Sequence, residues 1–258
     1  MFLFRKFHKM IFSNYPIFFS MAFFGFMPGF LMFMKFGFFY TSLFSFFYIV
    51  MMSYLWLSDV MMEDMSGQYS IQDYRSFRQG FRYFIISELI LFLVIFWCYF
   101  DYSITPVFWV GGDFYPCGII SVGYLGLNAL ATSFLMMNSQ LIKLTRRMIF
   151  NNNYNCLFVM LLCIFVGAGF ICFQLFEYSN LYYSMCDSTF GSIFFMGTGS
   201  HGSHVFVGGW FLIFCYFRMI LLQFNWIHMQ MLDLCIDYWR FLEWMWGIMF
   251  SLFYIWGS

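Results

Sequence analysis

Apolar residues run along this chain in blocks of about 20, the length an α-helix needs to cross a hydrocarbon core, and charged residues gather between the blocks. Irregular backbone exposed to lipid would leave its N–H and C=O groups unsatisfied, so the blocks are read as helices and the charges as their boundaries. Seven spans result, at about 16–34, 37–57, 80–100, 118–140, 156–177, 190–218 and 232–255. Little more than Lys35 and Gly37 separates the first two, which predicts a tight helical hairpin. A longer polar stretch, 58–79, carries Asp59, Glu63, Asp64, Asp73, Arg75 and Arg78 and is predicted as a connecting loop. It divides an N-terminal segment with a two-helix block (1–57) from a five-helix bundle (80–258). A second, shorter connector holds Asn151, Asn152, Asn153 and Asn155. The fold class predicted is an all-α, polytopic membrane protein.

Placing the connections alternately on two sides of a membrane tests the count, because Lys and Arg collect on the side from which a chain is inserted. Arg5, Lys6, Lys9, Arg75, Arg78, Lys143, Arg146, Arg147 and Arg218 fall on the first side, Arg82 and Arg240 lie near helix ends facing it, and only Lys35 falls on the second. Eleven basic residues against one predict an odd number of spans, with the N-terminus inside and Ser258 outside. The second side carries Asp101, Asp113 and Asp187 instead.

Composition agrees with lipid as the solvent. Of 258 residues 63% are hydrophobic and 9% charged, against roughly 25% charged in soluble chains, too few to cover a water-soluble fold of this size. Twelve basic residues balance twelve acidic ones, so no net field favours nucleic acid. The 43 Phe, 22 Met and 18 Tyr use AT-rich codons, a bias expected of an organellar genome. Eight cysteines include no CxxC pair, which gives no spacing for zinc, iron–sulfur or thioredoxin-type chemistry. Cys117 and Cys186 fall on the outer side, the one compartment open to a disulfide, and a Cα separation above about 7 Å would exclude a bridge. The apolar run after Arg5, Lys6 and Lys9 lacks a small-residue cleavage site and reads as a span rather than a signal peptide.

A charge at membrane depth costs at least about 2.5 kcal/mol on insertion scales, so each one needs a reason. Glu88, about a third of the way into the third span, reads either as a protonated side chain hydrogen-bonded across helices or as a titrating, ion-coordinating carboxyl; packing is the commoner use. His201 and His204, three residues apart, share a helix face at about 60°. Two histidines without a third ligand are weak evidence for metal, and haem in a bundle usually takes its histidines from different helices. Small residues at 198/202 and 199/203 predict a close helix neighbour there. Both histidines are therefore read as inter-helix hydrogen-bonding groups, and Glu88 is expected to turn inward and bond one of them. A third group stands at the basic membrane boundary: Trp56, Asp59 and Glu63 after the second span, Arg218 after the sixth, then His228, Asp233, Asp237, Arg240 and Glu243. Together these can hold phospholipid headgroups or dock a partner subunit.

At these residues the sequence resembles cytochrome c oxidase subunit III. The block Asp187 to Arg218 carries Thr-Gly-x-His-Gly-x-His-Val and Phe-Leu-Ile-x-Cys-x-Phe-Arg at the family's spacing. Phe84-Ile85-Ile86-Ser87-Glu88, Gln174-x-x-Glu177-Tyr178, Tyr238-Trp239-x-Phe241 and Trp256-Gly257-Ser258 match its third, fifth and last helices. The resemblance implies a subunit without redox centres, beside the catalytic subunit I and other complex IV subunits of the mitochondrial inner membrane, N-terminus in the matrix. Haem and copper are then expected in those neighbours, and structural phospholipids in a cleft between the two-helix and five-helix parts. Carried over by position, Tyr54, Trp56, Glu63 and Arg218 fall at family lipid contacts, Glu88 on the third-helix carboxyl, and His201 and His204 on the sixth-helix pair. A zwitterionic headgroup suits Arg218 and Glu63 together. The family's second tryptophan is Leu57 here, its Gly-His-His reads Gly67-Gln68-Tyr69, and its last-helix His and Asp are Arg240 and Glu243.

Two other functions fit part of the pattern. A proton- or ion-coupled transporter would use Glu88 as its carrier carboxyl, but the inverted repeat and broken helix pairs of that class are missing. A b-type cytochrome would need axial histidines on a second span, and His8 and His228 both lie outside the spans.

Overall fold

The computed structural model describes residues 13–106, 123, 125–224 and 229–256. They form α1 (Tyr15–Phe36), α2 (Tyr40–Met65), α3 (Ile71–Ile104), α4 (Leu127–Phe150), α5 (Cys156–Asn180), α6 (Thr189–Ile220) and α7 (Gln230–Met249), followed by a π-helical segment, Phe250–Trp256. The N-terminal basic residues, Asp113, Cys117, His228 and Ser258 lie outside the described residues. Among the described residues five helices (α1, α2, α3, α5 and α6) are long and apolar enough to cross a membrane. The other two are more polar, α4 burying Asn128, Asn138, Ser139 and Thr145 and α7 carrying Asp233, Asp237, Arg240 and Glu243. Large apolar side chains such as Phe24, Phe44, Trp97 and Trp244 stand exposed, a surface suited to lipid or another apolar chain.

The chain divides into two compact units, Met1–Phe77 and Arg78–Ser258. In the first, α1 and α2 form a hairpin. Gly37 closes α1 in the left-handed conformation at φ 74°, and its N–H donates to the Phe33 carbonyl at 2.9 Å. Gly29 lets the helices touch, since a Cβ there would stand 2.8 Å from the Ser42 amide nitrogen and 3.1 Å from its Cα. Backbone cannot yield as a flexible side chain does. Gly29→Leu should therefore push the helices apart and destabilise the chain by roughly 1–3 kcal/mol. Thermal unfolding in detergent checks this, with Gly80→Ala inside α3, which meets nothing within 4 Å, as the control that should not destabilise.

The stretch 58–79, predicted as a loop, is mostly helical. α2 runs on to Met65 and α3 begins at Ile71. Polar side chains at a membrane boundary can face water while their backbone stays hydrogen-bonded within a helix, so charge marks the end of the apolar span and not the end of the helix. The true break is set by turn chemistry. Gly67 takes φ 73°, and Ser70 and Asp73 bond reciprocally, the Ser70 N–H donating to Asp73 Oδ2 at 2.7 Å and the Asp73 N–H to Ser70 Oγ at 3.3 Å. The fourth span, predicted over 118–140, is shifted: α4 begins only at Leu127, after Gly126 at φ 88°, and by the same effect continues past Lys143, Arg146 and Arg147 to Phe150, after which Asn152 turns with φ 51°.

In the second unit α4 packs on α5, α5 on α6, and α7 on both α4 and α6. Trp239 of α7, 1% exposed, fills their centre. Its ring lies where Cβ atoms on Gly167 and Gly208 would meet it at 3.2 Å and 3.4 Å. The close helix contact expected at 198/202 and 199/203 falls elsewhere, because Gly202 has nothing within 4 Å and Thr198 instead accepts the Tyr178 hydroxyl at 2.6 Å. The approach is made at Gly197, where a Cβ would stand 2.8 Å from the Phe253 ring. The last helix was predicted as one piece over 232–255, but from Phe250 it widens into π winding where two tertiary bonds tie it down. The Tyr99 hydroxyl donates to the Leu252 carbonyl at 2.8 Å, and Tyr254 reaches α5.

Candidate functional site

Polar groups of the second unit meet between α3, α6 and α7. Ser200 and His204 are one turn apart on α6, and the imidazole Nδ1 donates to the Ser200 carbonyl at 2.7 Å. That bond fixes the ring's other nitrogen toward α3, where Nε2 stands 2.7 Å from Glu88 Oε2. A carbonyl can only accept, so Nδ1 carries a proton, and a single further proton lies between Nε2 and the carboxyl. The pair is either imidazolium with carboxylate or neutral imidazole with carboxylic acid; both satisfy the two groups. Phe92 packs on the imidazole at 5.4 Å between ring centroids, and the Tyr238 hydroxyl donates to the His204 carbonyl at 3.3 Å.

His201 takes a different partner. It is fully buried, its Nε2 donates to the Leu242 carbonyl of α7 at 3.2 Å, and its ring lies between Phe170 at 5.6 Å and Trp246 at 5.3 Å. The structure thus brings Glu88 to His204 and leaves His201 bonded to backbone. Among the described residues no group of three or more His, Cys, Asp or Glu is placed to hold a metal ion.

A second carboxyl lies deeper than Glu88 and was not among the residues singled out as a site. Glu177, 7% exposed, accepts from Gln174 Nε2 at 2.8 Å and from the Tyr254 hydroxyl at 3.0 Å, with Asn128 also beside it. The available signal is the Gln174-x-x-Glu177 spacing, which puts two hydrogen-bonding groups on one face at the end of an apolar run. Glu177 ties α5 to the π-helical segment. Glu177→Leu should strand the Gln174 amide and the Tyr254 hydroxyl and cost about 2–4 kcal/mol, with Glu177→Gln much milder. Thermal unfolding of both variants checks it; equal losses would contradict the tie.

At the boundary, Trp56 is held on α2 by Tyr15, whose ring stacks on it at 6.2 Å while its hydroxyl donates to Asp59 at 2.5 Å. Glu63 accepts from the Tyr69 hydroxyl at 2.7 Å. Burial, and then the Glu63 carboxylate, push the Tyr69 phenol up from its ordinary value, so it stays a donor through the neutral range. Tyr54 is exposed. These residues belong to the first unit, whereas Arg218 belongs to the second. There Arg218 ends α6 nearly buried, with its guanidinium 4.8 Å above the Phe224 ring and Nη1 donating to Met231 Sδ at 3.3 Å. Cys186 is exposed in the turn before α6, where Asp187 Oδ2 accepts from the Ser184 N–H at 2.5 Å. That bond holds the Asp187 carboxyl below its ordinary value.

Comparison with known proteins places these residues in a wider context. The family model described as Cytochrome c oxidase subunit III matches residues 5–258. The cytochrome c oxidase subunit 3 of Schizophyllum commune is 32% identical over 206 residues, covering 79% of this chain and 77% of that protein. That of Ovis aries is 32% identical over 207 residues, 80% of this chain and 79% of its own. That of Rhipicephalus sanguineus is 29% identical over 256 residues, 98% of this chain and 100% of its own.

Proposed function

The chain belongs to the cytochrome c oxidase subunit III family, and from that premise we propose that it is a non-catalytic scaffold of the oxidase in the mitochondrial inner membrane. Its N-terminus lies on the matrix side, it holds structural phospholipid, and it supports oxygen reduction and proton pumping by the adjoining catalytic subunit I. Haem and copper reside in neighbouring subunits. The observation that carries this reading is the use made of His204: both ring nitrogens are engaged, Nδ1 by the Ser200 carbonyl of its own helix and Nε2 by Glu88 of α3, so ligation of a metal through either would break a hydrogen bond already made. The histidines hold helices together, and charge at membrane depth is spent on packing. Lipid binding is supported by the aromatic and charged groups at the helix ends, Trp56 and Glu63 on α2 and Arg218 on α6, whose aromatic and ionic chemistry suits a headgroup.

Purification of the tagged chain from its native membrane tests the reading. Subunits with haem and copper should co-purify, and the chain separated from them should show no haem absorption. A haem band on the separated chain, or its recovery as a free transporter with no oxidase subunits, would refute it.

A further inference from the structure

At the basic ends of α3, α4 and α7 the second unit forms an open cleft of about 420 Å³, within the size range of small-molecule sites. α3 contributes Arg78 and Arg82, one turn apart. Lys143, Arg146 and Arg147 come from the last two turns of α4, and Arg240 projects from α7. Against these six cations stand two carboxylates, Asp233 and Asp237. Asp233 is already taken: Arg78 Nη2 meets it at 3.2 Å and Arg146 Nε binds its other oxygen. Asp237 reaches only Arg240, at 3.9 Å. Among the described residues no carboxylate pairs with Arg82, Lys143 or Arg147. Three uncompensated cations thus converge on one concavity, held there by three helices and by the Arg78–Asp233–Arg146 bridge.

We propose that this cleft binds an anion carrying one or more phosphate groups. Guanidinium forks match phosphate oxygens in pairs, and Lys143 adds a point charge. The position suits a headgroup, since Arg82 stands six residues, about 9 Å, before Glu88 on α3. Basic pockets between membrane helices on the positively charged side take phospholipid headgroups of this kind. Inorganic or nucleotide phosphate from the aqueous side presents the same chemistry. The inference rests on the membrane reading of the chain but concerns residues other than Trp56, Glu63 and Arg218.

The purified oxidase containing this chain, stripped of loosely held lipid, would be titrated with tetraoleoyl cardiolipin in phosphatidylcholine nanodiscs and, separately, with inorganic pyrophosphate. The parent complex should take up one of the two in a salt-sensitive manner. Combined Arg82→Gln, Lys143→Gln and Arg147→Gln should weaken it roughly a hundredfold. Asp237→Asn, which removes a competing carboxylate and keeps the fold, should tighten it severalfold. Cardiolipin uptake identifies a membrane source; pyrophosphate uptake alone identifies an aqueous one. Binding of neither probe, or binding the triple variant matches, overturns the proposal. So does loss of a partner subunit from the triple variant with both affinities unchanged, which would assign the cleft to an acidic protein segment. An Arg218→Gln control reads lipid uptake outside the cleft, so failure here leaves the scaffold function standing and failure there leaves this cleft standing.

Discussion

Trp239→Ala should be among the most damaging single substitutions in the chain, costing about 3 kcal/mol and releasing the subunit from the oxidase at moderate temperature. The reason is volume. Trp239 Nε1 has no hydrogen-bond partner among the described residues, so the side chain acts through packing alone. Transfer from lipid to protein interior gains little, because lipid tails are as apolar as the core; what is lost is dispersion contact and a filled cavity. Gly167 and Gly208 have no side chains with which to close the hole, and α5, α6 and α7 all border it. Trp239→Phe should cost about half as much, since it keeps part of the ring and discards an unsatisfied N–H. Thermal unfolding of the purified oxidase, followed by retention of this subunit, checks both. If alanine is tolerated as well as phenylalanine, the helices re-pack around the site and the account of the core is wrong.

The second large effect is expected at Glu88 and His204. Glu88→Ala leaves an imidazole nitrogen without its partner, and His204→Leu strands a carboxyl at membrane depth; each should cost about 1–3 kcal/mol. The double variant should cost clearly less than the two single losses added, because removing both partners strands neither. Glu88→Gln separates structure from titration. Its amide donates to the bare Nε2 of a neutral His204, so the bond survives while the carboxyl is removed. Assembly and turnover close to the parent would support a structural pair. Intact assembly with loss of sustained proton pumping would instead make Glu88 a proton carrier. Strict additivity of the single variants would show that the 2.7 Å contact contributes nothing.

The helices themselves were legible in the sequence because lipid allows few alternatives: a segment of 20 apolar residues must satisfy its backbone internally. The tight hairpin at Gly37 and the spans of α1, α5 and α6 follow within a few residues, and the family motifs around Glu88 and His204 are local strings of residues. Helix ends were not legible in the same way. Charge signals where hydrocarbon stops, while the backbone stops at capping groups such as Ser70 and Asp73 or at the left-handed Gly67 and Asn152, so α2, α3 and α4 all outrun the apolar windows that announce them.

Tertiary structure alone decided which polar groups meet. His201 and His204 sit only about 60° apart on one helix, and their sequence neighbourhoods are nearly alike. The rotational setting of α6 against α3 and α7 turns one toward a carboxyl and the other toward a carbonyl. The Gln174-x-x-Glu177 spacing marks Glu177 as a hydrogen-bonding group but not as a buried tie, because its partner Tyr254 lies 77 residues away and arrives only through the π winding of the last segment. The basic cleft has the same origin: Arg82, Lys143, Arg147 and Arg240 each read as an ordinary boundary cation, and only the packing of three helices makes them one concavity. A pattern along one chain reports the solvent each segment requires; which faces touch depends on shape complementarity between segments far apart in sequence.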